Sequence, residues 1–350
     1  MVSLVKATFP IACILASLSL SGCTPSSLQR FAETRYVMNA PFSIIIYADA
    51  TPPWDEIFQR ADETSVLYDH RVPQSPLAEL NRTGQTRLPE PVLSTLKQAL
   101  ALARESDGAY DPTVLPLMTV WDFEHGGRLP EPGEIEDALS KTGYRNVWIT
   151  DPDTVTLAHG ATIDIGGIGE GAVVDATADH LDSLGYAAYL VDAAGEIVMR
   201  GAKPDGRPWT VAVRSPRKPG LERTDPAFKE TYAGRLGMLE FSPARGRAAV
   251  STSGDYEKFF VAGGKAYAHI LDPRTGYPPE GVASVTVIAA SCARADSLAT
   301  TAFVLGYERG AAFLEKQPGA EGLLVRDADG KLESKATSGF PPLIPDDSAE

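Results

Sequence analysis

Residues 163–181 read IDIGGIGEGAVVDATADHL, with four glycines set just before an amphipathic helix. The spacing Gly166, Gly167, Gly169, Gly171 is not G-x-G-x-x-G, and no Gly-Lys-Ser/Thr follows, so neither of the two familiar nucleotide loops is present. Successive glycines let a backbone approach a ligand closely, and a helix start favours anions. A tight strand-to-helix turn with packed backbones calls for the same residues. Both readings stay open on spacing alone.

Working outward from this stretch gives the fold class. Upstream, the run Ser43–Tyr47 within YVMNAPFSIIIYADA suits a buried strand. Trp54, Ile57, Phe58, Ala61 and Val66 then recur at helical spacing, and a second helix is predicted from Pro91 to Glu105. Gly108 and Pro112 in SDGAYDPTVLPL mark its stop and a structured loop, and NVWIT and TVTLA read as a hairpin. Downstream, the glycine stretch feeds a helix to about Leu184, and AAYLVDAAGEIVMRG reads as strand, turn, strand. WTVAVRSP is a strand, Arg214 to Ala233 a surface excursion, and the chain from Gly237 a series of short strands and turns. VASVTVIAA is a buried strand, CARADSLATTAFVLG and GYERGAAFLEKQPG are helices, and AEGLLVRDADGKLESKAT is a closing hairpin. Strands and helices mix without a regular βαβ alternation, which favours α+β. No internal repeat is visible.

The ends carry separate signals. Lys6, the short apolar run FPIACILASLSL and small residues before Cys23 describe a secretory signal over residues 1–22, too short for a comfortable membrane span. Leu20-Ser21-Gly22-Cys23 resembles a bacterial lipobox, with Cys23 as the lipidated first residue; an ordinary signal peptide with an incidental cysteine is the alternative. Residues 23–35 are then a tether, residues 36–340 the folded domain and residues 341–350 a flexible tail. Removal of Cys13 with the signal and lipidation of Cys23 leave Cys292, so no internal disulfide forms, and no Cys/His zinc spacing exists. A formal charge of -14 excludes nucleic acid as a partner, because no basic face is available to neutralise phosphates. A small anionic ligand remains compatible with it, since backbone amides and a bound cation supply local positive potential.

Three clusters have chemistry. Asp164 and Glu170 flank the glycines. Asp296 and Thr300 in RADSLATTAF are four apart on one helical face, and a carboxylate with a hydroxyl suits a hard cation such as Mg²⁺. A solvated Asp and a Thr bonded back to its own helix fit the same spacing. His269 stands between the turns Ser253-Gly254-Asp255 and Asp272-Pro273-Arg274-Thr275-Gly276 and is a ready proton acceptor near neutral pH. No Ser-His-Asp spacing or G-x-S-x-G elbow supports a hydrolase triad.

Taken in order, IDIGGIGEGAVVDATADHL, STSGDYEKFFVAGGKAYAHILDPRTGYP and SVTVIAASCARADSLATTAFVLG resemble the FAD:protein FMN transferases, the ApbE-type lipoproteins. SDGAYDPTVLPL and the lipobox fit the same family, and the resemblance runs from Tyr36 to Lys335. It implies a single large α+β domain of mixed sheets with flanking helices around a T-fold-like core. It also implies FAD as substrate, Mg²⁺ as cofactor, and transfer of FMN by a phosphoester bond to a Ser or Thr hydroxyl of a partner flavoprotein. Carried over residue by residue, Asp296 and Thr300 become metal ligands, with main-chain carbonyls of Gly167 and Ala299 beside them. FAD contacts fall on Met38, Tyr68, Ala109, Tyr110, Asp111, Glu170 and Leu271. His269 takes the position that activates the acceptor hydroxyl, and Asp272 orients the loop or His269. The lipid on Cys23 implies a bacterial cell-envelope location, membrane-anchored and export-facing. Water in place of the protein hydroxyl would make the same site an FAD pyrophosphatase, and a storage lipoprotein would need neither metal nor base. The chain departs from the family pattern at Ala172, where Tyr is frequent, at Ala194, where a glycine is frequent, and at Glu170, where many members carry Lys.

Overall fold

The computed structural model describes residues 28–345 apart from 151, 219–220, 226–227, 229–233 and 243–245. The signal segment, Cys23 and residues 346–350 lie outside the described residues. The fold begins at Gln29, inside the stretch expected to be a tether. Strand β1 (Gln29–Val37) pairs along its whole length with β2 (Ala40–Ala48), from Gln29↔Ala48 to Val37↔Ala40. Met38 and Asn39 close this two-residue hairpin with φ of 55° and 60°, as such a loop requires. The polar sequence QRFAETRYV hides the strand because it is an edge, with one face left to solvent.

Helix α1 (Trp54–Tyr68) follows, burying Ile57, Phe58, Ala61 and Thr64; the fourth contact is Thr64 rather than Val66, which is exposed. An inserted lobe comes next: α2 (Pro76–Thr83), β3 (Gln85–Arg87), α3 (Glu90–Glu105), α4 (Leu115–Trp121), α5 (Pro132–Lys141), β4 (Val147–Thr150) and β5 (Thr154–Leu157). The chain then runs through α6 (Gly166–Ser183), β6 (Tyr189–Ala193), β7 (Glu196–Arg200), β8 (Trp209–Arg214), β9 (Arg235–Phe241) and β10 (Arg247–Gly254). A hairpin of β11 (Phe259–Ala262) and β12 (Lys265–Ala268) precedes β13 (Ser284–Ala289), α7 (Cys292–Leu305), α8 (Tyr307–Leu314), β14 (Glu321–Ala328) and β15 (Lys331–Ala336).

Eight strands form one sheet in the order β1-β2-β6-β7-β10-β13-β14-β15, every neighbouring pair antiparallel. A repeat that the sequence does not display emerges here. Strands β1 and β2, helices α1 and α6, and strands β6 and β7 make one unit of two strands, two helices and two strands. Strands β10 and β13, helices α7 and α8, and strands β14 and β15 make a second. The two units agree in topology and not in residues, and the lobe inserted between α1 and α6 breaks their spacing along the chain.

Strand alternation sorts the apolar residues to two faces. Phe42, Ile44, Ile46, Val191, Val198 and Ala249 face α1 and α6, while Ile45, Tyr47, Leu190, Ile197 and Val250 pack against Trp209, Val211, Val213 and Leu239 of the β8–β9 hairpin. The sheet is thus covered on both sides. Helix α6 lies between α1 and α7, so Val173, Val174, Thr177, Ala178 and Leu181 are all buried, and it is not the one-faced amphipathic helix expected. The supposed tail also folds: Ile344 exchanges backbone hydrogen bonds with Met238 (2.8 and 2.9 Å), while Phe340 and Leu343 join the outer core. The described part of the segment after Arg214 is likewise more than a surface excursion, since Arg217 and Arg223 both bind the buried carboxylate of Asp255 at 2.9 Å.

The β6–β7 loop is Ala194-Gly195, with φ of 56° and 115°. A Cβ in the left-handed region is strained by roughly 1–2 kcal/mol, and glycine removes the strain while returning some backbone entropy. Ala194→Gly should raise stability by roughly 0.5–1 kcal/mol, read as a higher urea midpoint at unchanged slope. A lower midpoint would show that the turn gains nothing from glycine.

Candidate active site

The glycine stretch is stapled before its helix begins. The Asn81 side chain donates to the Ile163 carbonyl at 2.8 Å and accepts from the Ile163 N–H at 2.6 Å. The Asp164 N–H donates to the Pro112 carbonyl (2.9 Å), and Asp164 Oδ1 accepts from the Gly166 N–H (2.8 Å). His70 Nδ1 is 3.9 Å from the same carboxylate. Gly167 then departs from helical geometry at φ −74°, ψ 19°.

The packing reading of the glycines is met at Gly171. A Cβ on Gly171 would sit 2.6 Å from the backbone of Cys292 and Ala293, so this glycine lets α6 cross the start of α7 backbone to backbone. Asp175 locks the crossing by accepting from the Cys292 and Ala293 N–H groups at 2.8 and 2.9 Å, two donors that a helix start leaves free. Gly166, by contrast, is exposed, and a Cβ on Gly167 would be 3.3 Å from Thr300 Oγ1 and 3.4 Å from the Tyr110 ring. Gly171→Ala should therefore force the helices apart and lower stability by about 1–3 kcal/mol. Denaturant unfolding reads it, and an unchanged midpoint would contradict the close crossing.

That crossing brings the expected metal ligands together. Asp296 is buried on α7, and its Oδ2 accepts from the Gly171 N–H at 3.3 Å. Thr300 lies one turn further, against Gly167, with Oγ1 3.3 Å from Ser253 Oγ of β10. Ala299 is fully buried between them in the main core. Burial, then the negative charge of Glu170, holds the Asp296 carboxyl well above the usual carboxylate range. Glu196, at the head of β7, is raised by burial and then by Asp296. Glu170 is exposed to solvent yet walled in by protein, and burial raises its carboxyl too, which places it on the side of a cleft. Among the described residues none of these three carboxylates makes an ion pair, and no group of three or more His, Cys, Asp or Glu side chains gathers at metal-holding distance. Excess negative charge with few carboxylate ligands fits a hard cation that also takes a hydroxyl and main-chain oxygen.

The residues assigned to FAD divide between lining and support. Tyr68, at the end of α1, contacts Gly169 from the glycine side and has its hydroxyl 3.3 Å from Thr95 Oγ1; Met38 packs on the same cluster of buried side chains. Tyr110 backs Gly167 from below, its hydroxyl proton held tightly by burial and then by Asp296. Ala109 is buried beside it. Asp111 turns inward: its carboxylate accepts from Thr113 N–H (2.9 Å), Thr113 hydroxyl (2.6 Å) and Tyr144 N–H (2.7 Å), and so shapes the loop. The Leu271 side chain is buried in a satellite core with Leu117, Trp121, Ile135 and Phe260.

His269 follows β12. Its N–H and its ring Nδ1 both reach the Lys258 carbonyl, at 2.9 and 3.1 Å. A carbonyl only accepts, so Nδ1 carries the hydrogen and Nε2 keeps its lone pair. Burial, then the charge of Lys258, pushes the imidazole pKa down to about 4. It is a neutral base at physiological pH. Lys258 also acts on Glu170, which ties this imidazole to the acid cluster.

Asp272 does not orient His269. Its carboxylate is taken by the Arg274 N–H (2.9 Å) and guanidinium (2.8 Å to each oxygen), and its carbonyl accepts from Thr275 and Gly276. A bidentate guanidinium two residues away outcompetes a more distant imidazole. Asp272 therefore shapes the DPRTG turn. Glu196, Glu257, Lys258 and Ser253 belong to the site and were not assigned from sequence; Glu196 heads β7 and Ser253 lies near the end of β10, each beside turn residues, and Glu257 and Lys258 lie in the turn after β10, where turn signals mask chemistry.

A family model described as the ApbE family matches residues 38–324. The FAD:protein FMN transferase of Vibrio cholerae serotype O1 is 34% identical over 277 residues, covering 76% of this chain and 78% of that protein. An ApbE protein structure from Thermotoga maritima superposes with a TM-score of 0.77 at 30% identity, over 87% of this chain and 96% of that one. The apo flavinyl transferase ApbE of Pseudomonas stutzeri gives 0.75 at 29% identity, over 89% and 95%.

Proposed function

This chain belongs to the ApbE family, and on that premise we propose how its cleft moves FMN from FAD to a protein hydroxyl. The protein is an FAD:protein FMN transferase. FAD lies along Met38, Tyr68, the 109–111 loop, Glu170 and the Leu271 backbone. Asp296, Thr300 and the main-chain oxygens of Gly167 and Ala299 would hold Mg²⁺. When bound, the cation neutralises pyrophosphate charge as the bond to AMP breaks. This is how a chain of net charge -14 accommodates a dianionic diphosphate.

His269 Nε2 takes the proton of an acceptor Ser or Thr hydroxyl. The hydroxyl oxygen bonds to the FMN phosphorus, the link from that phosphorus to the bridging oxygen breaks, and AMP leaves with the bridging oxygen. The proton on His269 then passes to AMP or solvent. Lys258 keeps the imidazole oriented and neutral, and Tyr110 and Ser253 support Gly167 and Thr300 from behind. What supports this reading is the buried Asp296 carboxyl at the α6–α7 crossing, beside Glu170 and Glu196, together with an imidazole whose Nδ1 is held by the Lys258 carbonyl so that Nε2 is a base. The test incubates the exported protein with FAD, Mg²⁺ and a panel of exported flavoproteins, followed by intact mass. One acceptor should gain FMN less water, with equal AMP released; AMP without any protein adduct would make the enzyme a pyrophosphatase.

The lipid on Cys23 anchors the protein in the bacterial envelope, export-facing, with Thr24 rather than Asp after it. No helix among the described residues is long and apolar enough to cross a membrane. Cys23→Ser should move the protein from the membrane pellet to the soluble fraction. A variant that stays in the pellet after a salt wash would contradict the anchor.

A further inference from the structure

Strand β1 runs the length of the sheet. It leaves Gln29 opposite Ala48, the last residue of β2, and reaches Val37 beside the Met38-Asn39 turn. Nine residues at about 3.3 Å each make it roughly 30 Å long. Antiparallel register carries its two ends across the neighbouring strands. On the Met38 side lie Ala193 at the end of β6, Glu196 at the head of β7, and Ser253 near the end of β10. On the Gln29 side lie Tyr189 at the head of β6, Arg200 at the end of β7, and Arg247 at the head of β10. Helix α6 has the same polarity. Gly167, near its start, stands against Thr300, and after its end at Ser183 the Ala188 carbonyl accepts from the Tyr47 N–H at 3.0 Å. Glu196, Ser253, Gly167 and Thr300 therefore gather at one end of the sheet, and the fold begins at the other.

The anchor joins that other end. Residues 24–28 separate Cys23 from Gln29, so the chain from the lipidated residue to the start of β1 reaches at most about 20 Å. That is less than the length of β1. Turning the cleft toward the bilayer would require the lipid to lie beside Met38, a full strand away from the residue that leads to it. The short connection permits tilt about the anchor and forbids inversion.

We propose that the protein stands on the bilayer by the Gln29 end of its sheet, with the cleft at the Met38 end directed away from the lipid. The inference rests on the lipid at Cys23 proposed above. The rim turned to the headgroups holds Ala48, the loop before Tyr189 and the turn after Arg200, where Gly201 packs on the Ala187 carbonyl. FAD and the acceptor both enter from the aqueous side. The acceptor is therefore a hydroxyl carried on a domain clear of the membrane, and a hydroxyl at headgroup level lies behind the cleft.

Vesicles of phosphatidylethanolamine and phosphatidylglycerol, doped with a nitroxide-headgroup lipid, test the orientation with the full lipidated chain. A fluorophore is placed on Tyr36→Cys, near the cleft end of β1 and 75% exposed, or on Ala50→Cys, exposed just past the end of β2. Neither residue belongs to the FAD or cation machinery, and Cys292 is buried, which confines labelling to the new thiol. Flotation comes first: wild type should rise with the vesicles and Cys23→Ser should not. A wild type that stays behind overturns the anchor, and the orientation with it. In floated protein the Ala50 label should be quenched several-fold more than the Tyr36 label. Equal quenching, or stronger quenching at Tyr36, overturns the orientation and leaves the anchor in place. Activity gives a second readout. Vesicle-bound wild type and soluble Cys23→Ser should flavinylate the same soluble acceptor at closely similar rates, with the same KM for FAD. A rate several-fold lower on vesicles would put the cleft against the lipid and overturn the proposal.

Discussion

Asp296→Ala should abolish Mg²⁺-dependent release of AMP from FAD while leaving the fold intact. A bound cation supplies several kcal/mol of charge stabilisation in the transition state, and a loss of about 4 kcal/mol corresponds to roughly a thousandfold in rate. The fold survives because Asp296 contributes little stability as it stands. Its hydrogen bond from the Gly171 N–H is long, at 3.3 Å, and its carboxyl is held above the normal range by burial and by Glu170. Removing it relieves repulsion around Glu196 and Glu170 and leaves a small void. The diagnostic pair is AMP release by chromatography and a thermal melt with and without Mg²⁺. Wild type should melt higher with the cation and the variant should not. Full AMP release from a folded variant would sink the metal assignment.

His269→Asn should leave FAD affinity nearly intact and slow FMN transfer by about 10²–10⁴-fold. Asparagine keeps a donor for the Lys258 carbonyl and lacks the lone pair at Nε2. The pH dependence follows from the lowered pKa. An imidazole that binds its proton near pH 4 stays a base down to that pH, so the acid limb of wild-type transfer should fall well below the usual 6.5. Stability moves in the same window. The unfolded imidazole takes a proton near 6.5 and the folded one near 4, so native stability declines as pH falls through that interval. The Asn variant should show a flatter decline. If affinity collapses while the rate at saturating FAD persists, His269 is a binding residue and the base lies elsewhere.

How far the sequence reached depended on whether a contact was local. Helix α7 and its Asp296–Thr300 face were legible because one period fixes both, and the strand from Ser43 was legible from its β-branched run. Helices α2 and α5 had start signals in Ser75-Pro76 and Glu131-Pro132, which passed unread among neighbouring turn residues. Strand β1 was lost because an edge strand has no need of a continuous apolar stripe. The roles of Asp272 and Asp111 depended on which partner lay nearest, Arg274 and Thr113 being two residues away in each case. Glu196 joins the cleft only through sheet register, from a strand whose sequence says nothing of Asp296.

The pairing of two like units across the sheet has a consequence for how the protein comes to life. Helix α6 belongs to the first unit and α7 to the second, and the strands that join the units, β7 and β10, pair directly although the β8–β9 hairpin separates them along the chain. Neither unit alone holds the whole of the proposed cation site: Gly167 comes from one, and Asp296, Ala299 and Thr300 from the other. Contacts this distant in sequence close late, because their loop entropy must be met first. A chain emerging in order would therefore complete its first unit, with helix and sheet in place, long before it had any chemistry. Competence to bind the cation and cut FAD would arrive as the last event of folding, when the Gly171 backbone settles against Cys292.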